Sequence, residues 1–305
     1  MPRNLIETTA ATFADVKIFH AAALGQVQRT SFTWTDLPGA MCLAVNKSYY
    51  AEAIANPNIV AIVAPARIAV DRPASKALLL TDRCAELFYR LHNLGIHTHA
   101  RTASRQARAG VGAGARIAPT AVISAEASIG PGVVVSDYCV VQGPVEIGPD
   151  CVLHPFVTVG TEGFFSKVID GRKSHIHHFG GVRIGSNCIL HTGTNVSRSV
   201  NFNEVTELKS DVHVGIHCNI GHDCQVGENC DLAAWVLLLG RVRIGSGTWI
   251  GANAAVANAV KVGSNSTIRL GSVVIEDLPA GSDVSGNFAV PHARSLRSYL
   301  GHGQS

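Results

Sequence analysis

An aliphatic residue recurs at every sixth position over most of this chain. From Val111 the beat runs Ile117, Ile123, Ile129, Val135, Val141, Ile147, Leu153, Val159, slips once, and resumes at Ile184. It then continues through Leu190, Val196, Phe202, Leu208, Val214, Ile220, Val226 and Leu232 to Leu238, Ile244, Ile250, Val256, Val262, Ile268 and Val274. A period of six matches neither the helical repeat of 3.6 nor the alternation of a flat sheet. It is the period of a parallel β-helix in which three hexads close one triangular coil. The expected architecture is mainly β: a left-handed parallel β-helix, preceded by a small α/β domain. The aliphatic positions suffice for roughly eight coils and a prism on the order of 40 Å long. Such a prism is filled by its own side chains, so function must lie on its outside.

A second layer supports this reading. Gly often follows the aliphatic residue, as in Ile129-Gly130, Ile147-Gly148, Ile184-Gly185 and Ile220-Gly221, and a small residue follows four positions after it. Each hexad then supplies a short strand with two inward side chains and a turn in which Gly is expected to accept a positive φ. Six of the eight cysteines, from Cys139 to Cys230, occupy the small inward position. Cys218, Cys224 and Cys230 are six apart and fall on three faces, so they cannot converge on one metal or pair as disulfides. They read as small core hydrophobes.

The net charge of +3 is too small to argue for a nucleic-acid partner. No run of 18 apolar residues exists to span a membrane. Met1 to His20 lacks the apolar core of a signal peptide, so a cytoplasmic location is expected. Residues 1–105 read as the α/β domain, with strands at Met41 to Val45, Ile59 to Val63 and Lys76 to Leu80 and helices at Lys47 to Ala55 and Asp82 to Leu94. A linker rich in Arg, Ala and Gly (Arg101 to Gly114) leads to the prism over 106–285, and a short tail covers 286–305.

The prism's beat is broken by an insertion, 161–181, carrying Glu162, Phe164 and the run His175-Ile176-His177-His178. A loop that leaves a rigid coil with aromatics and histidines suits a substrate wall. Three histidines without Cys or spaced partners are a weak zinc signal. The strongest chemical candidate is His222, two residues past inward Ile220 and therefore outward near a corner. Glu204 lies eighteen residues before it and Gly240 eighteen after. At three hexads per coil the three should stack about 5 Å apart. That gives a general base, a carboxylate to orient it and a backbone N–H for an oxyanion, the requirements of acyl transfer. A solvated surface histidine is the competing reading, and His154, His191, His213 and His217 also lie along the repeat.

Several stretches together resemble the UDP-3-O-acylglucosamine N-acyltransferases of lipid A biosynthesis. Met41 to Tyr50 is similar to that family's nucleotide-contacting segment, Gly160 to Phe164 to its Gly-x-Asp-Gly-Phe loop, Gly180 to Ile184 to the return to the prism, and Ile220 to Gly227 to its catalytic segment. The likeness spans about residues 30–285. It implies a left-handed prism assembled as a homotrimer, with His222 as general base and Gly240 as oxyanion donor. It also implies Asn46 and Tyr49 on the nucleotide of an amino-sugar acceptor. The donor would be a thioester, acyl-CoA or acyl carrier protein, with no metal and no bound cofactor. Leu43 stands where the family has an aromatic over the uracil, Ser197 where it has Asp, and Ala259 where it can have a second histidine. The short tail has no room for its C-terminal helices. Two further readings are an acetyl-CoA-dependent N- or O-acetyltransferase of a nucleotide-activated sugar and a non-catalytic hexad scaffold. A zinc prism of the carbonic-anhydrase kind would need a histidine spacing not recognisable in this chain.

Overall fold

In a computed structural model of the chain, residues 2–69, 72–95 and 110–286 are described. The linker expected over Arg101 to Gly114 and the tail after Pro291 fall largely or wholly outside them. The N-terminal part opens with a helix the sequence reading lacked, α1 (Pro2–Ala10), followed by the short strands β1 (Lys17–Phe19) and β2 (Arg29–Ser31). β3 (Ala40–Leu43), α2 (Lys47–Ala55), β4 (Ile59–Ala64), β5 (Ala77–Leu80) and α3 (Cys84–Asn93) complete it. The strands form one sheet in the order β1-β5-β4-β3-β2, antiparallel only at β1. β4 and β5 are almost wholly buried, as expected of parallel strands covered on both faces. Asp82 does not start α3. The helix begins at Cys84, and the Thr81 hydroxyl takes the Arg83 N–H at 3.0 Å.

From Gly110 the chain winds a left-handed parallel β-helix whose three faces are sheets of nine, eight and eight strands. Neighbouring coils pair in parallel, Leu208 with Val226, Val214 with Leu232, and Ile220 with Leu238. The repeat residues from Ile129 onward, Phe202 excepted, fill one continuous core. Cys139, Cys151, Cys188, Cys218, Cys224 and Cys230 line the same core, all free and buried. Each of these thiols also donates to a carbonyl across one coil, Cys224 to Leu239 at 3.1 Å and Cys218 to Ala233 at 3.0 Å. A valine at these positions would fill the space without bonding the carbonyl.

Two features of the repeat differ from the sequence reading. The glycine after the aliphatic residue does not carry the positive φ. That conformation falls two residues later, at Asp211, Asp223, Asn229, Asn265 and others. Asn and Asp tolerate it through local hydrogen bonding. The glycine is needed because coils approach too closely there for a side chain: a Cβ on Gly221 would lie 2.8 Å from the Gly240 nitrogen. The second difference is a concealed insertion. Ile184 pairs with Leu208 and Val196 with Ile220, twenty-four residues apart, whereas a plain coil takes eighteen. One hexad's length, around residues 198–204, bulges from the wall without upsetting the count of six. Phe202 therefore keeps the beat but lies outside the strands.

The visible insertion is a hairpin, Ser166–Ile169 against Arg172–His175, closed by Asp170 (φ 51°) and Gly171 (φ 71°). Positive φ at both central residues is the turn that matches strand twist. The hairpin packs under α3: Arg90 reaches Asp170 at 3.1 Å, and the Asp170 N–H donates to Glu86 at 2.7 Å. Among the described residues no helix is long and apolar enough to cross a membrane.

Candidate active site

His222 stands at a prism corner, two residues beyond the end of the strand Asn219–Ile220. Its Nδ1 lies 2.7 Å from Asp223 Oδ2. Asp223 is itself held on every side. Its Oδ1 accepts from the Ser199 hydroxyl and from the Val200 N–H at 3.2 Å, and its own N–H donates to Thr206 Oγ1 at 2.8 Å. Ser199 and Val200 belong to the concealed insertion, so that bulge is what fixes the carboxylate. An ionised carboxylate only accepts, so His222 Nδ1 carries the proton and Nε2 presents a lone pair. Nε2 lies over Gly240: a Cβ there would come within 2.5 Å of both Nε2 and Cε1. The neighbours Leu239 and Arg241 donate to Val256 and His222 in the coil ladder, whereas the Gly240 N–H has no acceptor among the described residues.

The insertion covers this corner. Phe165 stacks on the His222 ring at 5.3 Å and 19°, and Tyr89 of α3 meets Phe165 edge-on at 5.4 Å. The His178 ring stands perpendicular to His222 at 5.4 Å and is 2% exposed. Its Nδ1 donates to the Ile176 carbonyl at 3.0 Å, and its Nε2 has no partner among the described residues. Burial, reinforced by the adjacent His222, lowers the His178 pKa to about 4, so the ring is neutral at pH 7. Glu162 anchors the loop: Oε1 accepts from Arg198 at 2.8 Å and the His178 N–H at 3.3 Å, and Oε2 lies 2.6 Å from His175 Nε2. These bonds outweigh its desolvation and lower its pKa to about 2.

The sequence-derived residues thus separate into groups. His222 and Gly240 meet, with His178 beside them and Glu162 behind. Phe164 points away, 87% exposed, and Phe165 is the aromatic on the imidazole. The Glu204 carboxylate does not orient His222; it instead binds the N-terminal part of the chain. Its Oε1 accepts from Ser31 and from Thr35 at 2.9 Å, and Oε2 accepts from Asn201 at 3.2 Å. Burial and the nearby Asp223 charge raise its pKa. The orienting carboxylate is Asp223, which sequence spacing passed over although it directly follows the histidine.

Asn46 caps α2, its Oδ1 accepting from the Tyr49 N–H at 2.9 Å. Tyr49 lies 6.0 Å from Trp34, which stacks on Phe32 at 4.9 Å. Phe32 and Trp34 wall a groove of about 800 Å³ between the N-terminal domain and one prism face. Arg183, Arg241, Arg243 and Lys261 line its other side, with Arg241 5.5 Å above Phe32 and Arg243 5.9 Å above Trp34. Asp223 borders the same groove, so it runs up to the His222 corner.

Residues 126–161 match the family model for bacterial transferase hexapeptide (six repeats). The prism is a hexapeptide-repeat prism. Among solved structures, the UDP-N-acetylglucosamine acyltransferase from Campylobacter jejuni is similar at 24% identity, over 58% of this chain and 67% of that one, with a TM-score of 0.51. The Arabidopsis UDP-N-acetylglucosamine acyltransferase shares 22% identity over 62% and 72%, with a TM-score of 0.48. The GDP-perosamine N-acetyl transferase from Caulobacter crescentus shares 18% over 74% and 81%, with a TM-score of 0.30. At these identities the likeness concerns the fold. No protein of curated function matches the sequence.

Proposed function

We propose that the chain is an acyltransferase that moves an acyl group from a thioester, acyl-CoA or acyl carrier protein, to the amino group of a nucleotide-linked amino sugar. The observation that carries this reading is the His222 imidazole, with Nδ1 engaged by an immobilised carboxylate and Nε2 bare against Gly240. The acceptor nitrogen attacks the thioester carbonyl carbon while His222 Nε2 takes its proton. Asp223 stabilises the imidazolium that forms and keeps the productive tautomer. The oxyanion is held by the Gly240 N–H, an interaction worth about 3 kcal/mol. Collapse breaks the C–S bond, and the imidazolium returns the proton to the leaving thiolate. No covalent enzyme intermediate is required, and the buried thiols stay out of the chemistry.

The groove supplies the acceptor's binding chemistry. Guanidinium and ammonium groups facing an aromatic pair suit a nucleotide diphosphate, with phosphates on Arg241, Arg243 and Lys261 and the base toward Trp34 and Tyr49. Exposed Tyr138, Phe156 and Trp235 along one corner, with Leu237 and Val273 on the adjoining face, provide an apolar surface for the neighbours in a homotrimer. The reading is tested by thiol release from acetyl-CoA and from long-chain acyl carriers against a panel of UDP- and dTDP-linked amino sugars. Release that depends on one acceptor supports it. Acceptor-independent release, or none with any pair, removes it.

A further inference from the structure

The histidine run that looked isolated in the sequence has a partner in the fold. One ligand atom each from Glu162, His175 and His177 lies within 4.8 Å of the others. We propose that these three side chains form a binding site for a divalent transition metal, of which zinc is the best match. Two imidazoles and one carboxylate are a ligand set suited to Zn²⁺, with the fourth position left to water.

The three ligands are held in place by their neighbours. His175 and His177 are two apart in extended chain, so their side chains project to one side while Ile176 between them is fully buried. Their backbones are fixed by α3. Asn93 donates to the His175 carbonyl at 2.8 Å and accepts from the His177 N–H at 3.1 Å, and His92 Nε2 donates to the His177 carbonyl at 2.9 Å. Glu162 is fixed through its other oxygen by Arg198 and the His178 N–H, leaving Oε2 toward His175. Ligands secured by outer hydrogen bonds in this way are a regular feature of metal sites. The 2.6 Å between Glu162 Oε2 and His175 Nε2 is a proton-bridged contact. Two tetrahedral ligands at bonds of about 2.1 Å sit roughly 3.4 Å apart, so the ion replaces the proton after these exposed side chains part by less than ~1 Å. Binding therefore releases that bridging proton. The ion would join the Glu162 turn to the end of the hairpin. The inference is independent of the acyl-transfer reading, since none of its steps uses the metal.

The test is calorimetric titration of the metal-stripped full chain with ZnCl₂, with Co²⁺ absorption as a second readout. The expected result is one saturable equivalent per chain and a visible band of four-coordinate Co²⁺. His177→Ala and Glu162→Gln should each weaken binding at least tenfold, whereas His191→Ala, in the stacked His154–His191 pair elsewhere on the prism, should not. His177→Ala removes an exposed side chain, so thermal melting should stay close to wild type without metal. No saturable site, a Co²⁺ spectrum of the free aquo ion, or unchanged affinity in folded His177→Ala would each overturn the proposal.

Discussion

Replacing Gly240 with Ala is the most incisive perturbation that the geometry offers. Gly240 has an ordinary φ, so a Cβ brings no backbone strain. What it brings is a collision, because the new atom would sit 2.5 Å from His222 Nε2 and Cε1. An ordinary contact is near 3.5 Å, so the ring must retreat by roughly 1 Å, and a misplacement of that size costs about 10²-fold in rate. The imidazole can retreat only by loosening its Nδ1 bond to Asp223 or its stack on Phe165. Steady-state thiol release should therefore fall about a hundredfold in kcat, with the melting temperature close to wild type. Gly221→Ala is the contrasting variant. Its Cβ would meet the backbone of the next coil at 2.8 Å, so it must push coils apart and lower stability as well as activity. A Gly240→Ala protein with near wild-type kcat, or one that loses stability as Gly221→Ala does, would refute the reasoning.

Asp223→Asn should preserve the fold and lower kcat by about 10² to 10⁴, because an amide can donate to Nδ1 and favour the wrong tautomer; a pH–rate profile and kcat measured against the wild type check this. Burial holds His92 and His178 at pKa values of about 4, so the unfolded chain binds more protons than the folded one between about pH 6.5 and 4. Stability is then full above that window and declines on acidification through it, and Glu162, held at about 2, adds a further loss below pH 4.5. Melting temperatures that stay flat from pH 7 to 4.5 would contradict those assignments. Light scattering should give three times the chain mass at micromolar concentration, and a monomer would count against the proposed homotrimer.

Most of the prism was readable because its geometry imposes the period: every sixth side chain must point inward, and that requirement writes itself into Ile, Val and Leu. The same regularity hid the bulge around residues 198–204. An insertion of one whole hexad leaves the period intact, and Phe202 even supplied an apolar residue on the beat. The Glu204 carboxylate turns to Ser31 and Thr35 rather than to His222, a direction that the repeat does not encode. Gly240, eighteen residues after His222, does lie against its imidazole. Asp223 was visible in the sequence, but its role depends on the left-handed backbone at that corner and on Ser199 and Val200 arriving from the bulge. The metal-ligand geometry was illegible for a related reason. Glu162 and His177 converge only because the hairpin returns the chain, and nothing in their spacing encodes the clamp from Asn93. In the N-terminal part, β1 and β2 are three residues each, too short to carry a pattern.

The central claim is that His222 removes a proton from the acceptor during acyl transfer. Its most direct test is single-turnover acyl transfer by His222→Ala protein, with whichever thioester and nucleotide amino sugar the wild type accepts. The account predicts a rate reduced by about 10² to 10⁴ with fold and assembly intact, because Ile220 and Cys224, not the outward imidazole, hold the coil. A folded His222→Ala protein that transfers at near the wild-type rate would remove the base and leave the prism as a scaffold.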